Sequence, residues 1–134
     1  MARGVKFEAW VYHPTERSDG PADRLAVENG ELSGYGFCLT NGGKSLWIER
    51  RDKKHPVTLK EASVDLVPDR WYRFSLTVES DALLYLDVFD EDKTQVASID
   101  PVEDRTYKSF DRIAIHGGGP YFVRDVSIKQ LETS

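Results

Sequence analysis

The sequence predicts an all-β protein that folds as a two-sheet antiparallel β-sandwich. Short segments alternate apolar and polar residues with a period of two, which is the side-chain period of a strand. Turn-forming residues separate these segments at regular spacing, and no window of about 11 residues shows a convincing helical period. The length of 134 residues fits one domain that covers residues 1–134.

The clearest element is a hairpin between Trp71 and Phe89. The polar and small residues Glu79–Ala82 in its middle suit a turn. Each half has one apolar face, so the hairpin needs a second layer to cover that face. The apolar alternate positions are Tyr72, Phe74, Leu76, Val78, Leu84, Leu86 and Val88.

The residues before this hairpin predict several shorter strands. Asn41–Lys44 has the sequence Asn-Gly-Gly-Lys, which accepts the positive φ of a tight hairpin turn. Pro14–Asp23 is rich in turn-forming residues and is predicted to be a loop. The predicted strands are Val5–His13, Arg24–Val27, Tyr35–Thr40, Ser45–Arg50 and, with weaker patterns, Val57–Leu59 and Ser63–Leu66.

The residues after the hairpin predict three further strands. Asp90–Lys93 and the glycine-rich Gly117–Pro120 have the composition of tight turns. Asp100–Asp111 shows no strong pattern and is expected to be an irregular crossing. The predicted strands are Thr94–Ile99, Arg112–His116 and Tyr121–Gln130.

Composition argues against several classes of function. A formal net charge of −5, spread along the chain, disfavours nucleic-acid binding, which requires a basic face. No apolar run approaches the roughly 20 residues of a membrane span, so membrane insertion is not expected. The first residues lack the apolar region of a signal peptide, although a piece of a longer secreted or extracellular protein would lack one too. The single cysteine, Cys38, excludes an internal disulfide and is expected to be buried.

Four segments carry a family resemblance. They are FEAWVYHP (Phe7–Pro14), GYGFCLTNGGKSLWIE (Gly34–Glu49), DRWYRFSLTVESDALLYLDVFDEDKTQVAS (Asp69–Ser98) and FDRIAIHGGGPYFVRDVSI (Phe110–Ile128). The first three resemble a strand and two hairpins of laminin-G-like domains, which have a concanavalin A-like jelly-roll fold. The fourth resembles a closing segment of such domains when they are attached to polysaccharide-degrading enzymes.

The resemblance implies a concanavalin A-like jelly roll along most of the chain. Such domains commonly bind carbohydrate, and others are adhesion or protein-binding modules. Many relatives end in Asp-Asp-Val, whose first acid helps to hold a structural calcium ion. Here the pair is Arg124–Asp125, which leaves Asp125 as a candidate calcium ligand, with an ion pair to Arg124 as the alternative. No other cofactor is expected.

Sugar binding needs aromatic rings for the C–H faces of the sugar and planar polar groups for its hydroxyls. Trp47 is the strongest aromatic candidate, whereas Trp10 and Trp71 are expected to pack at the sheet margin. The glycine-rich turn Gly117–Pro120, which lies between the candidates His116 and Tyr121, also permits close approach of a ligand. The candidate ligand-binding residues are Tyr12, Trp47, Glu49, Arg50, Tyr85, His116 and Tyr121.

These observations predict a noncatalytic, lectin-like carbohydrate-binding module that takes a polysaccharide or oligosaccharide and serves a polysaccharide-processing system. One alternative is a protein-interaction or structural β-sandwich. The other is a small glycoside hydrolase or polysaccharide lyase. Glycoside hydrolysis needs two carboxyl groups roughly 5–10 Å apart, and no spacing in the sequence requires such a pair, so no catalytic residue is assigned.

Overall fold

A computed structural model describes residues 4–14, 23–40, 43–117 and 121–131. This part of the chain forms ten β-strands and no helix, and therefore contains no helix that could cross a lipid bilayer. The strands are β1 (Val5–Tyr12), β2 (Asp23–Glu28), β3 (Gly34–Thr40), β4 (Ser45–Asp52), β5 (His55–Ser63), β6 (Trp71–Val78), β7 (Leu83–Phe89), β8 (Gln95–Glu103), β9 (Arg112–Gly117) and β10 (Phe122–Gln130).

The strands form two five-stranded sheets. The front sheet has the order β5-β4-β3-β2-β9 and the back sheet the order β10-β1-β6-β7-β8. Neighbouring strands in both sheets run antiparallel. The two-sheet antiparallel β-sandwich predicted from the sequence is thereby confirmed.

The core lies between the inner faces of the two sheets. Strand β1 shows how the sequence produces it, since its residues are alternately buried and partly exposed. Phe37 of the front sheet stacks on Phe74 of the back sheet, with ring centroids 4.8 Å apart and planes 6° from parallel. Phe7, which also belongs to the back sheet, lies 6.1 Å from Phe37 between ring centroids. Such aromatic pairs contribute about 0.5–1.5 kcal/mol each beyond the area they bury.

The two predicted hairpins are present. Strands β6 and β7 pair from Arg73 opposite Phe89 to Val78 opposite Leu84, and β3 pairs with β4 along its whole length. Residues 41 and 42 of the second turn lie outside the described residues, as do residues 15–22 of the predicted loop.

Two of the weaker predictions were wrong. Ser63–Leu66 is not a separate strand, because β5 already runs from His55 to Ser63 and the next residues fold back over the β3–β4 turn. There the Leu66 amide donates to the Gly43 carbonyl at 3.0 Å, and the side chain of Leu66 enters the core. The start of the crossing predicted at Asp100–Asp111 instead continues β8 to Glu103. Pro101 is tolerated there because β8 is an edge strand.

The last two strands lie in different sheets. Strand β9 pairs with β2 in the front sheet, whereas β10 pairs with β1 in the back sheet. The glycine-rich segment between them therefore connects the two layers. Residues 118–120, where a tight turn was predicted, lie outside the described residues.

A polar cluster closes the sandwich at the end nearest the β8–β9 crossing. Asp104 accepts hydrogen bonds from the Tyr35 hydroxyl at 2.6 Å and from Arg50 Nη1 at 2.8 Å. Burial opposes ionisation of Asp104, but the bonds from Tyr35, Thr106 and Arg50 outweigh it and hold its pKa below the usual value. Arg50 also binds Asp52 through Nε at 3.0 Å, and that bond, followed by one from Tyr107, lowers the pKa of Asp52.

Small residues in β3 permit a close approach to β2. A Cβ atom added at Gly36 would lie 2.2 Å from the Leu25 carbonyl oxygen and 2.8 Å from Ala26 Cβ. Only glycine fits between these atoms without a movement of the backbone. At Gly30, by contrast, the nearest heavy atom to such a Cβ is Arg112 Nη2 at 3.8 Å.

We expect Gly36→Ala to lower the free energy of unfolding by about 1–3 kcal/mol, because overpacking forces the two strands apart. Gly30→Ala is the matched control and should change it by less than about 0.5 kcal/mol. Urea titration monitored by tryptophan fluorescence measures both. Equal stability of the two variants would contradict the close approach of β2 and β3.

We expect Asp104→Asn to destabilise the protein at pH 7 by on the order of 1.5–3 kcal/mol, since hydrogen bonds to a buried charge are lost. The pKa of Asp104 is lower in the folded state, so its contribution is complete above the unfolded carboxyl pKa of about 4 and disappears as the pH falls through the folded value. The stability gap between wild type and variant should therefore shrink on acidification. A gap independent of pH between about 2 and 7 would contradict this. Asp92→Asn, in an exposed turn, is the control.

Candidate functional site

The outer face of the front sheet carries a row of side chains that crosses its five strands. Inward-pointing neighbours such as Leu25, Phe37 and Ile48 are buried in the core, so the alternate residues point outward. Neighbouring strands lie about 4.8 Å apart, which sets the spacing along the row. The residues aligned by strand pairing are His116, Arg24, Cys38, Trp47 and Glu61.

Two further rows follow on the same face. Gly34, Gly36 and Ala26 occupy their centres and leave the backbone uncovered, so that longer neighbours can lie flat against it. The second row is Ala114, Ala26, Gly36, Glu49 and Thr58, and the third is Arg112, Glu28, Gly34, Arg51 and Pro56.

The small residues in these two rows explain why charged side chains are buried on the outer face of the sheet. The side chain of Glu49 is fully buried and that of Glu28 is 2% exposed. Glu49 accepts hydrogen bonds from Arg24 Nε at 3.1 Å, from Trp47 Nε1 at 3.0 Å and from Arg51 Nη1 at 3.2 Å. A buried carboxylate requires such partners. Glu49 therefore orients an arginine and a tryptophan at once.

The two arginines that bind Glu49 differ in how far their guanidinium groups are exposed to a ligand. Arg51 is 4% exposed, and its remaining nitrogens bind Glu28 Oε2 at 2.8 Å and the Lys54 carbonyl at 3.4 Å. Arg24 is 25% exposed. Its Nε binds Glu49, and the guanidinium also interacts with the neighbouring Cys38 thiol. Among the described residues neither terminal nitrogen has an oxygen partner, so both can donate to a ligand, whereas Arg51 is structural.

The neighbours of Arg24 in the row complete the site. The side chain of His116 is 36% exposed, and its Nε2 lies 3.6 Å from Glu28 Oε2. Cys38 is fully buried between Arg24 and Trp47, and burial raises the pKa of its thiol to about 12. The buried thiol is thus neutral and lies between a cation and an indole ring.

The structure brings together three of the predicted ligand-binding residues. Trp47, Glu49 and His116 share the outer face of the front sheet, although Glu49 is buried beneath its donors. Tyr121 supports this face from below, because its hydroxyl lies 3.3 Å from the Arg24 carbonyl oxygen and hydrogen-bonds the carbonyl of His116.

The other predicted residues lie elsewhere. Arg50 alternates with Glu49 along β4 and points away from this face into the polar cluster around Asp104, so its grouping with Trp47 was wrong. Tyr12 and Tyr85 lie on the back sheet. The residue that joins the Trp47 group is Arg51, two positions after Glu49. Strict use of the two-residue period would have selected it from the sequence.

Asp125, the predicted calcium ligand, lies where the pairing of β1 with β10 changes register. Its backbone has a φ of 52°. The side chain is 75% exposed and lies 3.8 Å from Arg124 Nε. Within the described ranges, no group of three or more His, Cys, Asp or Glu side chains is arranged to hold a metal. Calcium binding at Asp125 stays a prediction.

A second aromatic cluster occupies the outer face of the back sheet. The Arg124 guanidinium carbon lies 4.4 Å from the centroid of the Trp71 ring and 5.2 Å from that of Trp10, and so covers both indoles. Tyr12 lies 5.4 Å from Trp71 and 5.8 Å from Phe122, centroid to centroid. Phe122 is 54% exposed. This cluster is the competing candidate for a binding surface.

Comparison with known proteins identifies the fold without identifying a family. No family model matches the chain. An uncharacterized protein, MJ1394, of Methanocaldococcus jannaschii is 30% identical over 129 residues, which are 96% of this chain. The chain spans only 13% of the length of that relative.

Three solved structures are similar to the sandwich. The carbohydrate-binding module CBM66 from Bacillus subtilis aligns with a TM-score of 0.67 at 10% identity, over 93% of this chain and 74% of its own. Galectin LEC-6 of Caenorhabditis elegans aligns with a TM-score of 0.64 at 11% identity, over 96% of this chain and 84% of its own. Chicken galectin 2 aligns with a TM-score of 0.63 at 10% identity, over 96% of this chain and 92% of its own. The chain has the jelly-roll β-sandwich fold of these proteins.

We expect Glu49→Gln to lower the free energy of unfolding by about 3–5 kcal/mol, because it leaves the buried guanidinium of Arg51 without one of its carboxylates. Glu61→Gln removes the same charge from an exposed position on the neighbouring strand and should have little effect. Thermal or urea unfolding distinguishes the two. A stable Glu49→Gln protein would show that the carboxylate does not organise this face.

Proposed function

We propose that this domain is a noncatalytic, lectin-like carbohydrate-binding module that takes part in polysaccharide processing. The single observation that carries the proposal is the pair of Trp47 and Arg24 on the outer face of the front sheet. An indole ring and a guanidinium lie on either side of the buried Cys38, and one buried carboxylate orients both. A ring for stacking beside preorganised hydrogen-bond donors is the combination that a sugar requires.

The two side chains converge above the sheet. Arg24 and Trp47 are two strand spacings apart at the backbone, or about 10 Å, but Arg24 Nε and Trp47 Nε1 bind the same oxygen, Glu49 Oε1, at 3.1 Å and 3.0 Å. A sugar ring placed over this pair would contact the Trp47 indole and the Arg24 donors together. The likeness to a carbohydrate-binding module and to galectins supports the same class of ligand, although at 10–11% identity it establishes the fold alone.

The state of the carboxylates favours binding over hydrolysis. Glycosidases use one carboxyl group as an acid and a second as a base or nucleophile, both facing the sugar. Here Glu28 and Glu49 are 2% and 0% exposed, and each is bound to an arginine. Neither reaches a sugar on this face. The role of these two carboxylates is to hold the arginine side chains in position.

The finer assignment to the concanavalin A-like, laminin-G-like branch of jelly rolls is part of the proposal. It is supported by the segments around Trp10, Trp47 and Trp71 described above. A second candidate function is protein interaction through the back sheet, which the exposed Phe122 beside Tyr12 favours. The two functions use opposite faces of the sandwich and can be separated by mutation.

We expect Trp47→Ala to weaken binding to the best ligand on a glycan array by at least about tenfold, because loss of a central aromatic contact costs 1.4 kcal/mol or more. Trp71→Ala on the back sheet is the matched control and should leave affinity unchanged. Isothermal titration calorimetry measures both, with thermal unfolding to verify folding. Loss of binding only in Trp71→Ala would assign the ligand to the back sheet. No binding to any glycan on the array would contradict the proposed function.

A further inference from the structure

We propose that the glycan bound by this face is acidic, and that its carboxylate or sulfate group binds the terminal nitrogens of Arg24. This inference rests on the proposed function and specifies its ligand. It rests on the different exposure of the charged side chains around Arg24: the guanidinium reaches the surface, whereas the nearest carboxylates do not.

Around Arg24 the front face exposes its cation and buries the nearest carboxylates. Arg24 is 25% exposed, whereas its partner Glu49 is fully buried and Glu28 is 2% exposed. A ligand over Arg24 and Trp47 therefore meets hydrogen-bond donors, and the carboxylates beneath are already occupied by arginine and tryptophan donors. A neutral sugar could use these donors for its hydroxyls, but an anionic oxygen forms bonds with guanidinium about twice as strong.

The guanidinium of Arg24 is held in a fixed orientation. Its Nε faces both oxygens of Glu49, at 3.1 Å and 3.0 Å. Neither terminal nitrogen has an oxygen partner among the described residues. This planar pair of donors matches the two oxygens of a carboxylate or sulfate. Because Glu49 restricts the side chain before binding, less rotamer entropy is lost when the ligand arrives.

The row also orients the ligand. Beyond Trp47 the next residue is the exposed Glu61, which repels an anion and accepts hydrogen bonds from hydroxyls. Beyond Arg24 lies His116, whose side chain is 36% exposed. The acidic group therefore belongs at Arg24, with the sugar ring toward Trp47 and its hydroxyls toward Glu61.

Because the domain as a whole is negatively charged, its selectivity for an anionic ligand must come from a local contact. The formal net charge is −5, so a polyanion is repelled at long range instead of being collected by a basic surface. Binding of an acidic glycan thus requires a specific contact. Loss of the Arg24 guanidinium should weaken it at least tenfold, whereas removal of an equivalent cation elsewhere on the same sheet should not.

The experiment compares ligands that differ only in the anionic group. Calorimetric titration uses oligogalacturonate against its methyl ester, and a sulfated galactan oligosaccharide against its desulfated form. We expect at least one acidic member to bind tenfold or more tightly than its neutral partner, and the two pairs distinguish a carboxylate from a sulfate. Equal affinity within each pair would overturn this inference and leave the proposed function standing. If neither these ligands nor the array bind, both fail.

Variants then test the assignment to Arg24. We expect Arg24→Gln to reduce affinity for the acidic ligand at least tenfold and to change affinity for its neutral partner by less than threefold. Arg112→Gln removes the same charge from the third row of the same sheet, where Arg112 is 48% exposed, and should have no effect. Equal losses in both variants would indicate general electrostatics and overturn the site. If Arg24→Gln unfolds, Arg24→Lys retains the charge without the planar pair of donors and should still lose the preference.

Discussion

The contact between Phe37 and Phe74 is the constraint on which this structure depends. It joins the front and back sheets through parallel rings at 4.8 Å and fixes which face of β3 is inside. Because side chains alternate, Cys38 is then turned outward, and strand pairing places Arg24 and Trp47 on either side of it. The packing of the core thereby determines the composition of the candidate binding face, although none of its residues enters the core.

Burial of charge on that face follows from backbone proximity. Gly34 and Gly36 leave no side chain above β3, so Glu49 and Arg51 lie flat on the sheet with 0% and 4% of their side chains exposed. Ionic groups in such a position are stable only as a closed network. The network gives the face two kinds of residue: Arg51 and the glutamates, which hold positions, and Arg24 with Trp47, which are presented to a ligand.

Periodicity and turn composition in the sequence account for most of the fold. The alternation between Trp71 and Phe89 predicted β6 and β7, and Asn41–Lys44 predicted the hairpin of β3 and β4. These signals are local, and so they are readable from neighbouring residues. The separation of β9 from β10 was not predicted, because pairing partners such as Val27 and Ile113 are far apart in the chain. The grouping of Arg50 with Trp47 also failed, since adjacent strand residues point to opposite faces.

The sequence by itself determined that the chain is all-β, where its main hairpins lie and which aromatic residues avoid the core. Each of these properties depends on side chains that are close along the chain. Only the tertiary structure decided that Arg24, Trp47 and His116 form one row, and that Glu49 lies beneath them. Those relations arise between strands whose order in the sheet is set by packing, and no pattern of neighbouring residues encodes that order.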